Sequence, residues 1–251
     1  MIIMKYIKKV FNIIIFLLIW QVFIFIFKIP NYLFPSPIEV LNSLVLNNKI
    51  IIFNGSITLM ESLLGFLLAN CISIIIAIFI SFKKKQENLI MSIAVTLKTI
   101  PIIAITPLLV LWFGSGFYSK IITAALVCFF PSLVNTLRGI KSIDKNLIEL
   151  FDIYSASNYQ KIKCLIIPSI SPYLFSALKV SSSLAIIGAL VGEFITANKG
   201  IGFLIISNYY SLNIAAVFAN LIVISFMGIG LYNLIDFFEK KIIKWNTVEN
   251  N

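Results

Sequence analysis

The chain has 251 residues, of which 60% are apolar and only 12% charged, with a mean hydropathy of +1.02. A water-soluble domain averages roughly 45–50% apolar and about 25% charged, so there is too little polar surface to cover a globule, and lipid must be the solvent for much of the chain. The net charge of +10 with no histidine argues against imidazole metal sites and His-based acid–base chemistry. The lysines are assigned to membrane-facing loops and anionic headgroups rather than to nucleic acid.

A bilayer core of about 30 Å takes about 20 apolar residues per helix. Six segments are predicted to span it, at about residues 10–27, 57–82, 89–113, 119–137, 172–194 and 212–237. The first follows lysines but has no small-residue cleavage site after it, and reads as a retained helix. The connection after it is the longest on its side and is predicted to carry a short surface helix after Pro37. Pro101 and Pro107 interrupt the third span; each removes a backbone hydrogen bond. Irregular backbone at membrane depth is tolerated where protein or a water-filled cavity satisfies it, so this span either lines a pathway or is kinked against its neighbours. Cys71, Cys128 and Cys164 are widely spaced and read as small apolar fillers.

Basic residues set the orientation. Lys5, Lys8 and Lys9, Lys83 to Lys85, the loop after the fourth span (Arg138, Lys141, Lys145, Lys161, Lys163) and Lys240, Lys241 and Lys244 place fourteen on one side, against four on the other: Lys28, Lys49, Lys120 and Lys199. Both termini and the loop after the fourth span are therefore predicted to be cytoplasmic.

That loop, residues 142–172, is too polar to span and too patterned for a slack linker. Asp144 is placed to cap a helix, and Leu147, Ile148, Leu150, Phe151 and Tyr154 follow at helical spacing. Ser155-Ala156-Ser157 interrupts, and residues 158–164 are predicted as a second short polar helix. An amphipathic pair of this kind either lies in the headgroups or inserts into a partner's groove; pattern alone leaves both open.

The fifth span carries Ser181, Ser182 and Ser183 and a Gly188-x-x-x-Gly192 pair, residue types that let helices approach closely and whose hydroxyls could also meet a polar solute. Charge inside a membrane is costly and functional by default, which singles out Lys98, Lys179, Glu61 and Glu193. Lys98 is read as the deepest, a gate or pairing residue. Walker A, GxSxG, HExxH and GxGxxG patterns are absent from the sequence, so no catalytic centre or cofactor is expected.

The loop resembles that of bacterial ABC-importer permeases, whose pattern is Glu-Ala-Ala, three residues, Gly, nine residues, then Ile-x-Leu-Pro. Here the same spacing reads Glu149-Leu150-Phe151, Ser155, and Leu165-Ile166-Ile167-Pro168. Glu149 and Pro168 are identical to the pattern; serine in place of the turn glycine leaves open a differently shaped turn, because serine reaches positive φ with difficulty. Leu33-Phe34-Pro35-Ser36-Pro37-x-x-Val40 is similar to a stretch of the nitrate/sulfonate/taurine-type permeases. So are Lys98-Thr99-Ile100-Pro101 through Pro107-Leu108 to Trp112-Phe113-Gly114, then Phe129-Phe130-Pro131 and Asn135-Thr136. Gly192-Glu193-Phe194 followed by Gly200-Ile201-Gly202 completes the set, and the likeness covers residues 33–245. Glu61 stands where that family more often carries arginine.

The resemblance implies an all-α, six-span, type I (MetI-like) permease: one membrane domain with its core at about 57–237 and a coupling loop at about 142–168. It implies a bacterial inner-membrane protein and a homodimer. Its partners would be cytoplasmic ATPase subunits and an extracytoplasmic solute-binding protein, with lipid around it. The cargo would be a nitrate-, sulfonate- or taurine-like anion or a vitamin precursor. Glu149, Ser155, Ala156, Ser157, Asn158, Tyr159, Lys161, Ile167 and Pro168 are its expected coupling residues. Lys98, Pro101, Pro107, Ser181, Ser182, Gly188 and Glu193 are expected along the pathway. An ion-driven secondary transporter and a membrane-embedded lipid-modifying enzyme are the competing readings. The first would often show inverted repeats and several buried acids, the second clustered polar residues.

Overall fold

The computed structural model describes residues 2–82 and 86–243, with side chains from residue 11 onward except Ile13. Lys83, Lys84, Lys85 and Lys244, and the side chains of Lys5, Lys8 and Lys9, lie outside the described residues. Every described element is a helix: α1 Ile2–Phe27, α2 Pro37–Leu46, α3 Asn48–Phe82, α4 Glu87–Thr99, α5 Ile102–Phe113, α6 Phe117–Lys141, α7 Lys145–Ile153, α8 Asn158–Lys161, α9 Ile167–Thr196, α10 Ile201–Tyr210 and α11 Ile214–Ile242. A π-helical turn, Ile162–Ile166, joins α8 to α9.

Among the described residues, four helical stretches are long and apolar enough to cross a membrane: Asn48–Phe82, Phe117–Lys141, Asn158–Thr196 and Ile214–Ile242. The predicted third span is a bent pair rather than one helix. The chain turns by 96° between α4 and α5, with Pro101 extended at the break (φ −59°, ψ 121°) and Pro107 carried inside α5. Counted as one span, the pair makes five; the apolar stretch Ile14–Phe27 of α1 falls among the shorter helices.

Two predicted boundaries moved for reasons that hydropathy does not carry. α3 begins at Asn48, nine residues before the apolar run, because Asn54 and Thr58 are satisfied by partners inside the protein, described below. The fifth span is likewise longer: the predicted short polar helix at 158–164 is not separate from the membrane helix but continues into it through the π turn. Pro168 supplies the cause. Its ring would press on the carbonyl four residues back and it has no N–H to give. The wider π turn, in which the Ile167 N–H donates to the Ile162 carbonyl, carries the helix past it.

The short helix predicted after Pro37 is present as α2. Ser36 caps it, its hydroxyl accepting from the Glu39 N–H while the Glu39 carboxylate accepts from the Ser36 N–H, and Pro37 occupies the first turn. Trp20, Phe34 and Phe218 stack at centroid distances of 5.4–6.0 Å and tie α1 and the connection after it to α11.

The centre of the bundle is α6, held between α3 and α9. Ala124 is fully buried where both neighbours approach without side chains. A Cβ on Gly65 would stand 2.7 Å from the Ile121 carbonyl oxygen, and one on Gly188 would stand 2.6 Å from the Ala124 Cα. Hydrogen bonds flank this contact: the Cys128 thiol donates to the Ser181 carbonyl (3.2 Å) and the Ser132 hydroxyl to Asn70 Oδ1 (2.7 Å). Lys120, Ala124, Cys128 and Ser132 recur every four residues and so form one stripe of α6.

Candidate functional site

The loop after α6 is built from stops and starts that its sequence specifies. Asp144 caps α7, accepting from the Asn146 N–H at 2.9 Å, as predicted. α7 ends in a two-bond turn: the Ser155 N–H donates to the Asp152 carbonyl and the Ala156 N–H to the Phe151 carbonyl, each at 2.9 Å. This is the glycine-type helix stop, and Ser155 occupies its left-handed position at φ 51°. The serine therefore does not reshape the turn; it adopts the backbone that glycine favours, at a cost of roughly 1–2 kcal/mol for an L-residue. Ser157 then caps α8 in a reciprocal box with Gln160, and Lys161 pairs with Asp152 at 2.5 Å, bracing α8 against α7.

Beneath the pair, Ile143, Leu165, Ile166 and Ile170 form a small buried cluster with Phe151 and Ile162 packed on it. The outer surface stays uncovered. Ile153 and Tyr154 are each 78% exposed and Tyr159 is 69% exposed, and Glu149, Leu147 and Leu150 are exposed on α7. Asn158 and Ile167 are exposed, and Ala156 is half-buried. Of the nine expected coupling residues, Glu149 thus lies on α7, Ser155 to Ser157 in the turn after it, Asn158, Tyr159 and Lys161 on α8, and Ile167 and Pro168 in the first turn of α9, the membrane helix into which α8 continues.

The expected pathway residues divide into three places. Lys98 stands exposed in the last turn of α4, its Nζ 4.5 Å from the centre of the Phe130 ring. With Pro101, Pro131, Asn135 and Leu184 it borders a cavity of about 500 Å³; it is not a deeply buried charge. Ser181, Ser182 and Gly188 lie buried on α9, with Ser181 and Gly188 in the contact with α6 described above. Lys179 pairs with Asp236 at 2.6 Å and with Glu239 on α11.

Glu193 belongs to a third place, at the end of the bundle opposite the loop. Its Oε1 accepts from the Thr58 hydroxyl at 2.6 Å and its Oε2 from the Gly202 N–H at 2.5 Å. Asn54 Oδ1 accepts from the Gly200 N–H at 2.7 Å, and Thr58 Oγ1 from the Ile201 N–H at 2.8 Å. The first N–H groups of α10 are thus capped by side chains from α3 and α9, with the carboxylate at the positive end of the helix. Gly200 turns the chain at φ 105°, and a side chain there would collide with the Glu193 carboxylate. Glu61 and Lys120 adjoin this carboxylate; all three charged residues are at most 3% exposed.

Sequence reading flagged Glu61 and Glu193 separately and counted Lys120 as a loop cation. The missed signal was Asn54, Thr58 and Glu61 at spacings of four and three, one face of α3. α10 was missed as an element, although Gly200 followed by apolar residues is a helix start.

Long apolar helices closely packed around α6, with a rigid capped helix pair at one end and capped polar groups at the other, make a multi-pass membrane protein of the helical permease class. The chain belongs to the family described as the binding-protein-dependent transport system inner membrane component, which matches residues 69–244. It is 32% identical over 220 residues to a probable ABC transporter permease protein of Haemophilus influenzae, covering 88% of this chain and 90% of that one. It is 31% identical over 230 residues to the formylaminopyrimidine transport permease protein ThiX of Halalkalibacterium halodurans (91% and 92% covered). It is 30% identical over 231 residues to the riboflavin transport system permease protein RibX of Chloroflexus aurantiacus (91% and 86%). The expected type I, MetI-like, all-α class holds, and the function is that of an ABC-importer permease, a membrane component of systems that work with ATPase and substrate-binding proteins.

Proposed function

We propose that the loop from Asp144 to Pro168 is the lever through which separate ATPase subunits drive this permease, and that the chain itself performs no catalysis. The observation that carries the reading is the fusion of α8 to α9 through the π turn. A force on Asn158, Tyr159 or Lys161 is passed into a helix that reaches Thr196 without a hinge loop. The turn at Ser155, the box at Ser157 and the Lys161–Asp152 pair keep the two short helices in fixed relation, and a stiff element transmits a displacement where a slack one absorbs it. The exposed Ile153, Tyr154 and Tyr159 supply the aromatic and apolar anchors that a docked partner would cover, and Glu149 lies beside them.

The remaining expectations follow as one arrangement. The chain is a single membrane domain that works as a homodimer in lipid, with both termini and the loop on the ATPase side and Glu193 on the side of the solute-binding protein. The cargo is a small organic solute, as the names of ThiX and RibX indicate for theirs. The cavity bordered by Lys98, Pro101 and Asn135 is its passage at the broken helix.

The test is co-purification. The permease should elute with its ATPase, and the pair should separate when Tyr159 is changed to Asp and Tyr154 to Asp while the permease stays monodisperse. Undiminished co-elution of that double variant would place docking elsewhere.

A further inference from the structure

A cavity of about 400 Å³ lies where the membrane helices meet the loop. Its walls come from the last turn of α3, the start of α4, the end of α6, α7 and the π turn. Two membrane-crossing stretches, Asn48–Phe82 and Phe117–Lys141, end at it. It therefore sits at the boundary between apolar helix and polar surface.

The lining has two halves. Ile80, Leu137, Leu165 and Ile166, all buried, form an apolar floor, and the exposed Phe82 and Ile148 continue it outward. The charged lining is Lys141, Lys145 and Lys161 against Glu87 alone. Lys141 pairs with Glu87 and Lys161 with Asp152. Each ammonium has three N–H donors, so pairing does not exhaust either lysine. Lys145, exposed in the first turn of α7, has no ion pair among the described residues. The neighbouring Asp144 carboxylate is turned to the Asn146 N–H.

We propose that this cavity holds an anionic phospholipid of the leaflet on the loop side. One acyl chain lies against the apolar floor, and the headgroup phosphate meets Lys145, with Lys141 and Lys161 beside it. An anionic lipid carries both halves in one molecule. A free phosphate leaves the apolar floor uncovered, and a zwitterionic choline headgroup sets a second cation against the lysines. Basic pockets between membrane helices on the cytoplasmic side take anionic headgroups by this chemistry, and such bonds from lysine to phosphate are charge-assisted. The inference needs only that the chain spans a membrane, and it stands whether or not the loop couples to an ATPase.

The experiment uses the delipidated full-length permease in a non-ionic detergent at fixed ionic strength, with bound ligand counted by native mass spectrometry. Dioctanoyl-phosphatidylglycerol should bind tighter than dioctanoyl-phosphatidylcholine, and glycerol 3-phosphate, the same phosphate without chains, should not bind at matching concentration. Lys145→Gln should weaken the phosphatidylglycerol about fivefold, the contribution of one lysine near a membrane surface, and leave the phosphatidylcholine unchanged. Lys163→Gln, an exposed loop lysine outside the lining, should change neither. Ile148→Trp fills the cavity from its exposed side with every lysine kept, and should also weaken the phosphatidylglycerol. Equal binding of the two lipids, or equal losses in Lys145→Gln and Lys163→Gln, would reduce the effect to diffuse attraction and overturn the proposal. Glycerol 3-phosphate binding as tightly as the lipid, or Ile148→Trp without effect, would overturn it as well, leaving no role for the apolar floor.

Discussion

At Ser155 a residue that resists the left-handed region holds a turn that needs it, at φ 51°. Glycine reaches that region without a Cβ penalty, so Ser155→Gly should stabilise the loop by about 1 kcal/mol, read as a raised unfolding temperature in detergent, with transport retained. A lowered temperature would show that the serine side chain contributes more than its backbone costs. Glu193 predicts the opposite sign. Glu193→Ala leaves the Gly202 N–H without its acceptor, while the Thr58 hydroxyl falls back on the Asn54 carbonyl at 3.2 Å, a loss of about 1–3 kcal/mol for the one buried group orphaned. Thermal unfolding of Glu193→Ala beside Glu193→Gln, which keeps one acceptor, should rank the glutamine variant as the milder. What the sequence revealed at this scale was uneven. Asp144 as a cap could be read because capping is a local rule. The meeting of Glu193 with Thr58 and of Gly200 with Asn54 could not, because it joins positions over 130 residues apart that no local pattern links.

At the scale of the element, the contact of α6 with α3 and α9 rests on absent side chains. Gly188→Leu would drive a branched side chain into the Ala124 backbone, already 2.6 Å from a Cβ at that position. The helices must separate, and overpacking costs of about 1–3 kcal/mol are a lower guide when the obstacle is backbone. The variant should lose its monodisperse peak in size-exclusion chromatography, whereas Gly230→Leu on α11, where a Cβ meets nothing within 4 Å, should keep it. Small residues on the fifth span marked that helix from the sequence as either a packing surface or a face for a polar solute, and Ser181 and Gly188 lie in the packing contact. Its partner was not legible, since Ala124 carries no mark that distinguishes it from any other alanine in an apolar run. The break in the third span was legible at Pro101, although Pro107, which gave the same signal, lies inside α5. Its 96° angle was not, because proline states where a helix stops and neighbouring helices decide where the chain goes next.

The whole molecule has a polarity: a basic, capped loop at one end and the buried Glu61–Lys120–Glu193 group at the other. The proposed orientation, with the loop side in the cytoplasm, rests on the fourteen basic residues assigned to that side and on the positive-inside rule. With the exposed Cys71 and Cys164 replaced by serine, a thiol introduced by Tyr154→Cys should react with a membrane-impermeant maleimide in inverted vesicles, and one introduced by Lys199→Cys only in right-side-out cells; the reversed pattern would invert the topology. The lever reading stands on the same axis, since a displacement applied at α8 travels along α9 to the polar end. Ser155→Pro tests it most directly, because proline can neither adopt φ 51° nor donate to Asp152. In proteoliposomes holding the permease, its ATPase and its binding protein, this variant should assemble and hydrolyse ATP while solute uptake is lost. Uptake at the wild-type rate per ATP hydrolysed would contradict the lever.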